Sequence, residues 1–236
     1  MTKRKDLLDI IAIVPARGGS KRLPRKNILP LGGKPLIQWT LDAAKASKVI
    51  DRIVVTTDDD AVLEIADQAQ VEAIRRPDGL ASDTATTVDT VLHALNTLAK
   101  RGIAARRVML LQPTSPLRGA GAIRAAVERM NATGANSVIS VCEVEHPPLW
   151  CNTIPENGSL DDFITPGTEG RRSQDLPTFY RLNGAIYLVS ADEFCRHESF
   201  LVSPSFSIVM GREESVDIDD DYDLLIAEAS LGLGNS

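Results

Sequence analysis

Short, uninterrupted apolar runs alternate along the chain with longer stretches whose apolar side chains recur every three or four positions. Residues 10–14 (IIAIV) are continuously apolar, the signature of a strand buried on both faces of a sheet, and they give way to the glycine turn Pro15-Ala16-Arg17-Gly18-Gly19. Residues 52–57, 71–75, 107–111 and 137–141 repeat the strand signature. Helices are predicted over 35–47, with Leu36, Ile37, Trp39, Thr40 and Ala44 on one face, over 61–70, over 86–100 and over 121–132. Asp59 or Asp60 is placed to cap the second of these. Strand and helix alternate at βαβ spacing, so the expected class is α/β, a mostly parallel sheet with helices on both faces.

Between about 146 and 182 the pattern breaks. Pro147, Pro148, Pro155, Gly158, Pro166, Gly167, Gly170 and Pro177 punctuate it, while Trp150, Phe163, Phe179 and Tyr180 ask for a surface to pack on. A protruding arm fits those aromatics better than a disordered linker does. Strands are expected again at 184–189 and 208–210, and a last helix at 222–230. In sheets of this class ligands bind beyond the carboxyl ends of the strands. Three polar loops fall there: 17–34, 76–87 and 112–118.

Composition narrows the picture. The 236 residues suit one domain spanning 1–236 with the arm as an appendage. Aromatics make up only 4%, so Leu, Ile, Val and Ala must fill the core. A formal net charge of -6 argues against nucleic acid and anionic membranes as partners. No apolar stretch reaches the roughly 18–20 residues that span a bilayer. The N-terminus is basic and then apolar, but Asp6 and Asp9 interrupt it, so it reads as a first strand rather than a signal peptide. Cys142, Cys151 and Cys195 form no CxxC pair and share no metal-ligand spacing with the histidines. They read as reduced thiols in a cytoplasmic protein.

Two constellations suggest chemistry. The loop 17–34 holds Arg17, Lys21, Arg22, Arg25, Lys26 and Lys34 and no acid, alongside Gly18, Gly19 and Ser20. A glycine turn lets backbone approach phosphate, and the cations neutralise charge on a leaving pyrophosphate. The loop is neither a Walker A motif nor a dinucleotide fingerprint. The segment 215–223 places Asp217 and Asp219 about Ile218. In extended backbone these two carboxylates share a face and repel unless a cation lies between them, which suits Mg²⁺ or Mn²⁺. Asp221 and Asp223 read instead as the acidic start of the last helix. A basic phosphate loop with a metal pair points to phosphoryl or nucleotidyl transfer. No G-x-S-x-G elbow is present, and His93, His146 and His197 have no evident catalytic partner.

Five blocks, in order, carry a resemblance: Ile13 to Asn27, Arg76 to Thr87, Leu110 to Arg118, Asn183-Gly184-Ala185-Ile186-Tyr187, and Asp217-Ile218-Asp219. The chain resembles the acylneuraminate cytidylyltransferases. The resemblance implies a Rossmann-like nucleotidyltransferase fold and a homodimer in which the arm reaches the partner. The reaction it implies is CTP plus a nonulosonic acid giving the CMP-sugar and pyrophosphate with Mg²⁺. N-acetylneuraminic acid is the expected acceptor. Legionaminic acid, 3-deoxy-manno-octulosonic acid and a non-catalytic nucleotide-sugar-binding subunit are the alternatives. By matched motif, Arg17, Ser20, Lys21, Asn27, Arg76 and Thr87 would bind nucleotide. Gln112, Thr114, Ser115, Arg172, Asn183 and Tyr187 would bind the sugar acid, and Asp217 and Asp219 the metal. Arg17, Lys21, Lys26 and Asp219 would be catalytic, with a metal-bound oxygen near Asp219 as the candidate to take the hydroxyl proton. The family often shows Arg-Arg-Gln-Asp-Leu-Pro; here Ser173 is inserted after Arg172, so Arg171 and Arg172 both remain candidates for the substrate carboxylate.

Overall fold

β1 (Asp6–Pro15) is the centre of the molecule, with Ile10 to Val14 all at 0–1% exposure. The computed structural model describes residues 6–20, 22–80 and 85–233. β1 lies between β4 (Arg52–Thr57) and β6 (Ile103–Leu111), parallel to both, and β5 (Glu72–Arg75) adds on parallel beyond β4. On the other side come β8 (Tyr180–Ser190), β7 (Ser137–Glu143) and β9 (Ser205–Val209), giving the order β5-β4-β1-β6-β8-β7-β9. β8 is antiparallel to both its neighbours, β6 and β7, while β9 is parallel to β7. The expected mostly parallel sheet is present, and β8 is the strand that departs from it.

Alternate residues of β1 feed opposite faces, as pleating requires. Ile10, Ala12 and Val14 pack with Ile37 and Leu41 of α1 (Leu36–Ser47), Val62 and Ala66 of α2 (Asp60–Gln68), and Ile123 and Met130 of α4 (Ala120–Thr133). Ile11 and Ile13 pack with Val91 and Leu98 of α3 (Thr87–Lys100) and Phe194 of α5 (Ala191–His197). A third apolar cluster joins α6 (Asp221–Leu233) to a small hairpin of β2 (Pro30–Leu31) and β3 (Lys34–Pro35) through Leu31, Leu36, Ile218 and Ala227. Ile218 is thus pinned at 0% exposure between the two aspartates that flank it.

The caps explain several helix starts. The Asp59 carboxylate accepts from the Ala61 amide at 2.8 Å, and Thr86 with Asp89 forms a reciprocal capping box. Pro35 is the residue before α1 rather than its first turn. α5 and the two-residue hairpin strands were not predicted; both are too short for a periodic signal to register. The strand expected at 184–189 begins at Tyr180, because Glu143 pairs with Tyr180 and Cys142 with Arg181. The irregular segment therefore leaves and re-enters the sheet at paired positions. Within it only the single turns Pro148–Trp150 and Ser173–Asp175 are regular.

Candidate active site

Four strands, β1, β4, β5 and β6, deliver polar residues to one end of the sheet. Pro15 ends β1, Arg76 follows β5, and Gln112 follows β6; all three line a cavity of about 270 Å³. Arg17, Ser20, Lys26 and Asn27 come from the turn after β1, and Thr87 and Thr90 from the start of α3. Arg17, Ser20, Lys26, Asn27, Arg76, Thr87, Gln112 and Thr114, all anticipated from sequence, thus face one space. Lys21 lies outside the described residues.

The turn is held by side chains at both ends. Asn27 Nδ2 donates to the Arg17 carbonyl at 2.9 Å, and the Gly18 amide donates to Asp58 Oδ1 at 3.0 Å. A Cβ at Gly18 would lie 3.0 Å from Asp59 Oδ2, so a larger residue there would crowd Asp59. Arg76 is 6% exposed and donates through Nε and Nη2 to the Thr56 hydroxyl and carbonyl. Burial lowers its pKa to about 10 against the opposing pull of Asp58. It remains a cation at neutral pH, fixed in direction.

A second, larger cavity of about 900 Å³ adjoins the acidic segment and is lined by Arg22, Arg181, Arg212, Asp217, Asp219 and Asp223 among others. One side chain links the two spaces. Lys26, in the wall of the first, donates from Nζ to Asp219 Oδ1 at 2.9 Å and to the Ile218 carbonyl at 2.8 Å. Arg22 Nη2 pairs with the other oxygen, Asp219 Oδ2, at 2.9 Å. Asp219 is held below the ordinary carboxylate range by the Lys26 hydrogen bond first and by the charges of Lys26 and Arg22, which outweigh its partial burial. A carboxylate held low is a poor proton acceptor, so the geometry suits Asp219 to carrying charge rather than to taking the hydroxyl proton.

Asp217 behaves oppositely. Burial pushes its carboxyl up, opposed by a hydrogen bond from Thr114 and reinforced by the charge of Asp219. Its Oδ1 is buried without a hydrogen-bond partner among the described residues. An orphaned carboxylate oxygen beside a second carboxylate is what a cation would satisfy. Among the described residues no group of three or more His, Cys, Asp or Glu side chains stands ready to enclose a metal. Asp217 Oδ1 is thus the carboxylate oxygen left for a hard divalent ion, whose remaining shell would be water and phosphate oxygens, while both Asp219 oxygens are engaged by Lys26 and Arg22.

The remaining candidates divide. Ser115 is fully buried with its hydroxyl unpartnered among the described residues. Its Oγ, Gln112 Oε1 and Asp217 Oδ2 converge on Gly184, lying 3.7, 2.9 and 3.6 Å from where a Cβ would be. Gly184 has φ +76°, so a side chain there would be strained by its backbone and would press on Gln112. Tyr187 stacks on Phe200 with ring centroids 5.4 Å apart, and burial and the Asp217 charge push its phenol up. Asn183 is spent in the core: it donates to Ser215 Oγ at 2.9 Å and accepts from Ser140 Oγ at 2.6 Å. Arg172 is on the arm, exposed and paired with Asp175 at 3.1 Å. Neither Asn183 nor Arg172 lines either cavity in the single chain. Sequence reasoning did not single out Arg181, Arg212 or Gly184 individually; Gly184 was visible only as the middle of its block.

A family model described as cytidylyltransferase matches residues 11–203. The chain is 38% identical over 233 residues to a CMP-N,N'-diacetyllegionaminic acid synthase of Legionella pneumophila, covering 95% of this chain and 97% of that protein. It is 36% identical over 216 residues to an N-acylneuraminate cytidylyltransferase of Streptococcus agalactiae, covering 90% of this chain but 51% of that protein, so it spans about half that relative's length. Among solved structures, a CMP:2-keto-3-deoxy-manno-octonic acid synthetase complexed with CTP superposes with TM-score 0.70 at 17% identity, covering 96% of this chain and 99% of that one. That likeness confirms the fold.

Proposed function

Since the chain belongs to the cytidylyltransferase family, we propose that it transfers CMP from CTP to the anomeric hydroxyl of a nonulosonic acid. The observation that carries this reading is the Lys26–Asp219 contact, which joins a basic space to an acidic one. CTP is read into the first cavity, its phosphates along the turn from Arg17 to Lys26. The acceptor oxygen forms a bond to the α-phosphorus as the bond to the β-phosphate oxygen breaks; the electron pair leaves with pyrophosphate and the hydroxyl proton is released to water. In this reading Lys26, Arg17 and Arg22 balance the charge that develops on the phosphates, and Gln112 and Thr114 orient the acid. Mg²⁺ or Mn²⁺ held by Asp217 and Asp219 would neutralise further phosphate charge.

N-acetylneuraminic acid and a legionaminic acid are the competing acceptors. The legionaminate reading is favoured by one observation: that relative is matched over 97% of its length. We read the arm as a homodimer contact, supported by the exposure of Ile154 (67%) and Leu160 (59%). No helix among the described residues is long and apolar enough to cross a membrane. The free cysteines Cys142, Cys151 and Cys195 favour the cytoplasm.

The test is pyrophosphate release by purified protein with Mg²⁺, crossing four nucleoside triphosphates against N-acetylneuraminic, diacetyllegionaminic and octulosonic acids. Release with CTP and one nine-carbon acid, abolished by EDTA, is expected. Silence with every pair while CTP still binds would replace the enzyme reading with that of a binding subunit.

A further inference from the structure

Arg118 closes the loop after β6, and it is buried to 1% exposure. Burial displaces its pKa, down to about 9, with no carboxylate among the described residues pulling it back. A buried cation without a counter-charge is costly, so its contacts need a reason. Nη1 donates to the Ala185 carbonyl on β8 at 2.8 Å and to the Gln112 carbonyl at the end of β6 at 3.2 Å. Nη2 donates to Thr40 Oγ1 on α1 at 2.7 Å. One planar group thereby ties a helix, a strand end and an antiparallel strand, which a lysine ammonium cannot do at once.

The ties continue towards the reacting groups. The Gln112 carbonyl also accepts from the Ser115 amide at 3.3 Å, closing the 112–115 turn. From that turn the Thr114 carbonyl accepts from the Ile218 amide at 2.8 Å, and the Thr114 side chain hydrogen-bonds Asp217. We propose that Arg118 is a positioning residue for cytidylyl transfer: its fork clamps the 112–115 turn between α1 and β8, and the turn sets the Asp217–Asp219 segment. Arg118 lines neither the nucleotide space nor the acidic one, so it acts through Thr114 and Gln112. The inference rests on the transfer reading above.

Two variants test it, Arg118→Lys and Thr40→Val; the second removes the acceptor of one Arg118 hydrogen bond with little change of volume, at a residue that lines neither cavity. Arg118→Lys is expected to lower kcat about tenfold or more, as loss of alignment does, with the KM for CTP within about twofold of wild type. Thr40→Val is expected to lower kcat about threefold with the same split. In the free protein both variants should speed hydrogen exchange of the Ile218 amide, followed on the peptide covering 216–220, with a cooperative thermal transition retained. If Arg118→Lys fails to fold, Thr40→Val decides alone. Unchanged kcat and unchanged Ile218 exchange in folded Thr40→Val would overturn the clamp, as would a loss of CTP affinity equal to the loss of turnover. If wild type turns over no acid, the transfer reading fails by itself, and faster Ile218 exchange in the variants still supports the clamp.

Discussion

The end of the sheet and the arm are both rich in polar residues and turns, yet they are built differently. At the sheet end the contacts join distant parts of the chain. Lys26 meets Asp219 across 193 positions, and Arg118 meets Ala185 across 67. In the arm the contacts are local: Arg172 pairs with Asp175, and Asn152 Nδ2 donates to the Asp162 carbonyl. The sheet end is set by the packed strands beneath it and is preorganised in a single chain. The arm keeps Ile154 and Leu160 in solvent and has no such foundation of its own. Rigid elements position chemistry; an arm of this kind draws its order from whatever covers it.

Substitutions can break that contrast. The largest effect is expected for Lys26→Ala, which removes the link between the two cavities. Turnover should fall about 10²–10³-fold, or roughly 2.7–4 kcal/mol of transition-state stabilisation, measured by pyrophosphate release. A loss under threefold would mean the sheet end is less preorganised than its contacts suggest. Gly184→Ala should come next, because a side chain at φ +76° meets Gln112 Oε1 at 2.9 Å. Strain of about 1–3 kcal/mol should appear as lower stability in urea together with weakened binding of the acid.

In the arm the expectation reverses. Ile154→Ser with Leu160→Ser should leave the stability of the isolated chain within about 0.5 kcal/mol while shifting any self-association to higher concentration in sedimentation experiments. A large loss of stability at high dilution would show that the arm is part of the chain's own core. The smallest effect concerns acid. Asp219, held low by Lys26 and Arg22, stabilises the fold above the ordinary aspartate value of about 3.9 and loses that contribution as pH falls through its own lower value. Asp219→Asn should therefore be less stable than wild type at pH 7, and the gap should close between about pH 4 and the folded value. A gap that persists undiminished at pH 2 would assign the effect to shape rather than charge.

The parts readable from sequence were those governed by local pattern. The 10–14 run announced a doubly buried strand, and the Asp58-Asp59-Asp60 run announced the cap of α2, which Asp59 supplies. The cavity wall from Arg17 to Thr114 followed from motifs that each sit just past a strand. The reversal of β8 was not readable, because a continuously apolar strand looks the same in either direction. Asn183 sits in a motif but is consumed by Ser140 and Ser215, partners that a linear reading cannot see. The division of labour between Asp217 and Asp219 was hidden for the same reason: Asp217 is pushed up by burial, and Asp219 is held low by Lys26 and Arg22, both brought in from the loop after β1.

The pairing of Glu143 with Tyr180 places both roots of the arm side by side on adjacent strands. An insertion rooted in this way is modular. Changes in its length or sequence are then expected to leave the register of the strands that carry the chemistry undisturbed. A short type I′ turn spliced between the same two residues would give a minimal catalytic core from which the contribution of everything beyond the roots could be measured by subtraction.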